Sequence, residues 1–126
     1  MRNFWSALAL LIALAIGCWL AAARVGMLTD QTAAELEAAR IAVQEENMAA
    51  AQNRIEAAAK LWHGHEGFWG TVLRHAETDE LSYRLETLRQ WAALQDREEV
   101  LCGIAELKAM LRHLADMEQA FYYNFL

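Results

Sequence analysis

The stretch FWSALALLIALAIGCWLAAA, residues 4–23, decides how the chain is read. It holds twenty residues without a charge, and Arg2 and Arg24 bracket it. A helix rises about 1.5 Å per residue, so the run spans roughly 30 Å, the thickness of a bilayer's hydrocarbon core. Trp5 and Trp19 lie near its ends, where indole rings favour the membrane–water interface. The run is longer than the apolar core of a secretory signal peptide, about 7–15 residues. Length therefore favours a retained signal anchor over cleavage after Ala21-Ala22-Ala23. A lipoprotein reading ending at Cys18 lacks the expected Leu three positions earlier. Residues 1–3 are expected as a cytoplasmic tail, 4–23 as a transmembrane helix, 24–30 as a juncture and 31–126 as a helical domain outside the cytoplasm.

Composition sets the class of that domain. Pro is absent, and Gly numbers 6 in 126 residues. Ala, Leu, Glu and Arg dominate, which favours an all-α fold. All 17 acidic residues follow Arg24, against 9 of the 11 Lys and Arg. Nucleic acid is a poor partner for such an acidic surface. The two cysteines, Cys18 and Cys102, match neither a disulfide framework nor a zinc pattern.

Apolar spacing predicts four helices after the anchor. Thr29, Asp30 and Thr32 are candidate N-caps for the first, whose stripe is Thr32, Leu36, Ala39 and Val43. Met48, Ala51, Ile55, Ala58 and Trp62 mark the second. Trp69 and Leu73 continue its phase, so one long helix to about His75 is expected, with a break near Gly64–Gly67 as the alternative. Thr78 or Asp79 would cap the third helix, with stripe Leu81, Leu85, Leu88 and Ala92. Val100, Ile104, Leu107, Leu111, Leu114 and Phe121 mark the fourth, with Cys102 beside the stripe as a small core residue. Residues 121–126 are apolar enough to be expected to pack back onto the domain. At an offset of 49, Leu36, Glu37, Arg40 and Ile55 recur as Leu85, Glu86, Arg89 and Ile104. The expectation is a four-helix domain of two antiparallel helical hairpins, tetratricopeptide-like in build but without that repeat's period.

Chemistry-bearing signals are sparse. His63, His65, Glu66, His75, Glu77 and Asp79 cluster in sequence. On a helix His63 and His65 point about 200° apart and cannot share a metal. His75, Glu77 and Asp79 fall where one helix should end and another begin, and capping explains them without a metal. No nucleophile motif or phosphate loop is present. Neither catalysis nor a cofactor is expected. Trp62 and Trp69 read as core or as a partner groove: a closed core there would favour a scaffold, an open aromatic cleft a ligand site.

One pattern has a relative. Trp62, Phe68-Trp69, Leu73-x-His75-x-Glu77-x-Asp79-x-Leu81, Leu85-x-x-Leu88, Ile104-x-Glu106-Leu107-Lys108-x-x-Leu111-x-His113 and Asn124-Phe125 together resemble the bacterial domain of unknown function 4363 family. Thr78 stands where that family usually has Ile, and the three glycines of 64–70 also depart from it. The resemblance implies a small bacterial protein with an N-terminal membrane helix and a helical remainder. It also implies a protein partner that is itself a membrane protein. It implies no activity. The reading is thus a membrane-anchored, non-catalytic interaction module, using residues 4–23 for the membrane. The alternative is a ligand- or metal-sensing domain built on His75, Glu77 and Asp79.

Overall fold

The apolar run does not end in a turn. In the computed structural model, which describes residues 1–125 (with the backbone alone for Tyr122 and Phe125), it continues into a helix, α1, spanning Arg2–Gln44. Its 43 residues make a rod of about 64 Å. Within it lies an 18-residue stretch apolar and long enough to cross a membrane, none of it buried. The remaining elements are α2, Met48–His63; α3, Glu66–Val72; α4, His75–Ala93; and α5, Arg97–Phe125. The described residues contain no strand.

The expected juncture at 24–30 is therefore corrected: it is helical throughout. No proline interrupts it, and the single Gly26 costs only about 1 kcal/mol relative to Ala. Thr29 and Thr32 are not caps. Their hydroxyls donate back to the carbonyls of Val25 and Leu28, each at 2.8 Å, which satisfies two buried polar groups inside the helix. Val25, Leu28, Thr29 and Thr32 are all buried, so packing has already begun one turn after Arg24.

Helix α1 packs against α2 and α5, and α4 packs against the same two, so the contacts close a ring. The short α3 rests on α4. The two hairpins, α1–α2 and α4–α5, are built alike. Buried positions repeat at an offset of 49: Thr29 and Thr78, Leu36 and Leu85, Ala39 and Leu88, Ile55 and Ile104, Ala58 and Leu107. Their turns repeat as well. Glu46 and Gln95 both adopt positive φ, 61° and 56°. Asn47 N–H donates to Ala42 O and Asp96 N–H to Trp91 O, at 2.9 and 3.1 Å. The carboxamide of Asn47 accepts from Ala50 N–H, and the carboxylate of Asp96 accepts from Glu99 N–H, each three residues on. Both are N-caps of the helix that follows.

Four ion pairs tie the ring together, one at each helix–helix boundary. Arg54 meets Glu35 (α2–α1), Arg89 meets Glu56 (α4–α2), Arg84 meets Glu106 (α4–α5) and Lys108 meets Glu37 (α5–α1). Between α4 and α5, Gly103 allows a close approach, because a Cβ there would lie 2.9 Å from Leu88 Cδ1.

Further expectations change. The second helix stops at His63, at the break near Gly64–Gly67 given as the alternative, instead of running to His75, and α4 starts at His75 with Arg74 at its N-cap instead of Thr78 or Asp79. A Cβ at Gly64 would press to 2.7 Å on the Lys60 carbonyl oxygen, so glycine is what lets the chain close α2 there. Leu73 and Arg74 are extended, and Leu73 is still buried. Cys102 is exposed rather than in the core, because the α5 seam passes through Val100 and Ile104 on either side of it. Phe121 is likewise exposed. Leu126 and the side chains of Tyr122 and Phe125 lie outside the described residues, and the expectation about them with it.

Two measurements check this frame. Leu85→Ala should destabilise the protein by about 2–5 kcal/mol in chemical denaturation, whereas Leu94→Ala, on an exposed turn, should change it by less than about 0.5 kcal/mol. The Glu37 carboxyl is held down to about 2 by hydrogen bonds from Arg40 and then Lys108, well below the usual 4.5. A depressed carboxylate contributes stability that is full above its unfolded value and is lost as pH falls through the folded one. The stability difference between the parent and Glu37→Gln should therefore shrink from pH 4.5 towards pH 2. A difference independent of pH in that window would show that the carboxyl is not so held.

Candidate functional site

The sequence candidates gather at one end of the bundle, where α2 ends, α3 turns the corner and α4 begins. On a continuous helix Trp62 and Trp69 would be two turns, about 10.5 Å, apart along the axis. The break after His63 folds them together. Their ring centroids are 4.6 Å apart with planes at 20°, a stacked pair, and Phe68 lies against Trp69 at 5.3 Å. Both indoles are fully buried. Each N–H is satisfied: Trp62 Nε1 donates to Ser82 Oγ at 2.8 Å and Trp69 Nε1 to Trp62 O at 2.9 Å. The indole pair is closed core, with no cleft between the rings.

Local polar contacts fix the corner. His65 Nδ1 lies 2.8 Å from Leu61 O, and His63 Nδ1 lies 2.8 Å from Glu66 Oε1 across the break. Arg24, the residue that bounds the apolar run, places its guanidinium 5.1 Å from the centre of the Phe68 ring. A cation over an aromatic face is attracted by the ring quadrupole, so α3 is held to α1 at the level where the apolar run ends.

His75, Glu77 and Asp79 do not converge. His75 and Asp79 are exposed in the first turns of α4, and Glu77, two residues from each, points about 200° away. Thr78 between them is buried, and its hydroxyl donates to His75 O at 3.0 Å. Among the described residues no three His, Cys, Asp or Glu side chains are grouped to hold a metal ion.

Glu77 instead turns into a groove of about 860 Å³ between α1, the α3–α4 corner and the end of α5. Ala13, Gly17 and Ala21 line one wall; Arg74, Glu77 and Glu118 supply charge at its edge. The half-buried Glu118 carboxyl is pushed up first by burial and then by the neighbouring Glu77. Sequence reading missed Ser82, Arg74 and Glu118 as partners here. Nothing in their spacing marks them: Ser82 and Glu118 act on residues from other helices, and Arg74 only lines the groove that these helices share. Arg24 was legible only as the boundary of the apolar run.

Substitutions separate core from surface at this corner. Ser82→Ala leaves the buried Trp62 N–H without an acceptor and should cost about 1–3 kcal/mol in denaturation. His75→Ala and Asp79→Ala should each stay within about 0.5 kcal/mol of the parent. A loss of several kcal/mol at either would reveal a partner for these side chains that their exposed positions do not provide.

Residues 22–124 match the model of a protein family described as Domain of unknown function (DUF4363). No match was found among curated proteins or among solved structures. The matched span begins in the last turns of the apolar run and takes in every helix of the bundle and the Trp62–Asp79 corner. The chain belongs to the DUF4363 family, whose description assigns it no activity.

Proposed function

We propose that this protein is a non-catalytic interaction module held at the outer face of a bacterial cytoplasmic membrane. Residues 4–23 would be its single membrane span, and the two hairpins that follow would dock a protein partner, itself a membrane protein. The observation that carries this reading is the continuity of α1. One helix supplies both the apolar, unburied run and a wall of the bundle core, so the stance of the hairpins relative to a bilayer is set by backbone hydrogen bonds. A flexible tether would leave the domain free to tilt and move away from the bilayer; a rigid rod holds the hairpins at a fixed height along the axis of the span. The aromatic corner supports a scaffold over a ligand site, because the Trp62–Trp69 pair is closed and His75, Glu77 and Asp79 diverge.

Topology and partner are tested separately. Cys102 is exposed on the domain, and Cys18 lies in the apolar run. In Cys18→Ala protein, a membrane-impermeant maleimide should label Cys102 in intact cells. Labelling only after lysis would put the domain on the cytoplasmic side. Crosslinking in membranes followed by purification should recover one predominant membrane protein. Recovery of none, with a small molecule raising the melting temperature of the purified chain, would replace the docking reading with a ligand-binding one.

A further inference from the structure

The repeated core needs α5 only as far as Leu114. Beyond that residue no described side chain is buried, yet α5 stays helical to Phe125. These turns continue a helix already nucleated in the core, and they carry the exposed rings of Phe121 and Tyr123 into some environment outside it.

Their position says which. Helix α5 runs antiparallel to α1, with Lys108 against Glu37. From Lys108 to Tyr123 the chain descends roughly 22 Å, and from Glu37 to Trp19 roughly 27 Å, so Tyr123 comes to within about one helical turn of the level of Trp19. Grooves shared by the two helices follow the same register. Lys108, Ala115 and Gln119 line one with Gly26–Ala33; Gln119 and Tyr123 line the next with Trp19, Ala22 and Gly26. The exposed rings at this level are Trp19 at 65%, Phe121 at 55% and Tyr123 at 87%. The stretch from Gln119 onward, QAFYYNFL, carries no charge, and the acidic Asp116 and Glu118 lie above it. Uncharged turns bearing Tyr and Phe, beside the outer Trp of an apolar helix, have the chemistry of a membrane–water interface.

We propose that residues 119–125 of α5 form a second membrane contact, an aromatic foot seated among lipid headgroups and upper acyl chains beside Trp19. This rests on the anchor reading of residues 4–23. The foot gives the bundle two points of attachment, one spanning and one interfacial, and so opposes rotation of α1 about its own axis. The lipid covers the faces of Phe121 and Tyr123 that the bundle leaves exposed.

The test uses the full chain with Cys18→Ala and Cys102→Ala, reconstituted in phosphatidylcholine–phosphatidylglycerol vesicles with no other protein. Single cysteines at Ile12, Trp19, Tyr83, Gln119 or Tyr123 carry a nitroxide, and its collisions with oxygen and with a nickel chelate report depth. The label at Tyr123 should read like that at Trp19, with several-fold more oxygen relative to nickel than at Tyr83, and Gln119 should fall between. An aqueous reading at both Tyr123 and Gln119, with Ile12 deep in the bilayer, would overturn the foot and leave the anchor standing. An aqueous reading at Ile12 would overturn the anchor and the foot together. Unchanged helicity of each labelled variant by circular dichroism keeps a folding defect from passing as either result.

Discussion

The constraint on which the rest depends is the continuity of α1. A single helix has one axis, and the two halves of this one face opposite demands. Below Arg24 its large apolar side chains are exposed, Leu10, Leu14, Ile16 and Leu20 among them. Above it Val25, Leu28, Leu36 and Val43 are buried against α2 and α5. Apolar surface left in water is unfavourable in proportion to its area, so the lower half calls for a non-aqueous environment, while the upper half has made its own. The change occurs within one turn of Arg24, whose guanidinium both closes the apolar run and reaches the Phe68 ring of α3. The bundle begins where the apolar exposure stops.

Ion pairs at the bundle's boundaries give the arrangement its register more than its stability. Pairs this exposed contribute little, because water screens them and long side chains lose freedom to form them. Their placement is informative all the same. Among the described residues each neighbouring pair of long helices is bridged once by an ion pair, and the partners sit at sequence separations of 19, 33, 22 and 71 residues. A slide of one helix by a turn, about 5.4 Å, would carry these partners out of reach of one another. Glu37 is the most strongly held, since Arg40 on its own helix and Lys108 on α5 both donate to it. It is also the pair that joins the first long helix to the last and so closes the ring.

Much of this was legible in the sequence, and what was not has a common cause. The apolar stripes of all four long helices were read correctly from Thr32 to Leu114, because helical periodicity and burial are two expressions of one geometry. The chain reverses at Asn47 and Asp96, between the stripes read for successive helices. The failures lie where periodicity carries no information. Trp69 and Leu73 keep the phase of α2 although the chain breaks between, since α3 packs on the same core after a turn whose geometry the stripe does not record. Residues 24–30 looked like a juncture because Thr and Asp are good caps, yet Thr29 and Thr32 satisfy themselves within the helix and are buried by α2 and α5. In each case a tertiary contact outweighed a local signal. The candidate residues His75, Glu77 and Asp79 were set apart by composition, and their geometry separates them again.

The repeat shows where the chain departs from its own pattern. Along the central stripes, from Thr29 and Thr78 to Trp62 and Leu111, buried positions recur in both hairpins. Past that point the second helices diverge. After Trp62 the first reaches Gly64, stops, and folds α3 back so that Trp69 stacks on Trp62. After Leu111 the second continues straight for four turns beside the lower part of α1. A symmetric pair of hairpins would present equivalent ends to a membrane. These two present a closed, Trp-filled corner and an extended aromatic helix, on the side from which the apolar run of α1 emerges. The distal turns, by contrast, keep the repeat down to their hydrogen bonds. Symmetry is retained where the chain only has to reverse, and is lost at the end nearest the apolar helix, where the two hairpins have different neighbours along α1.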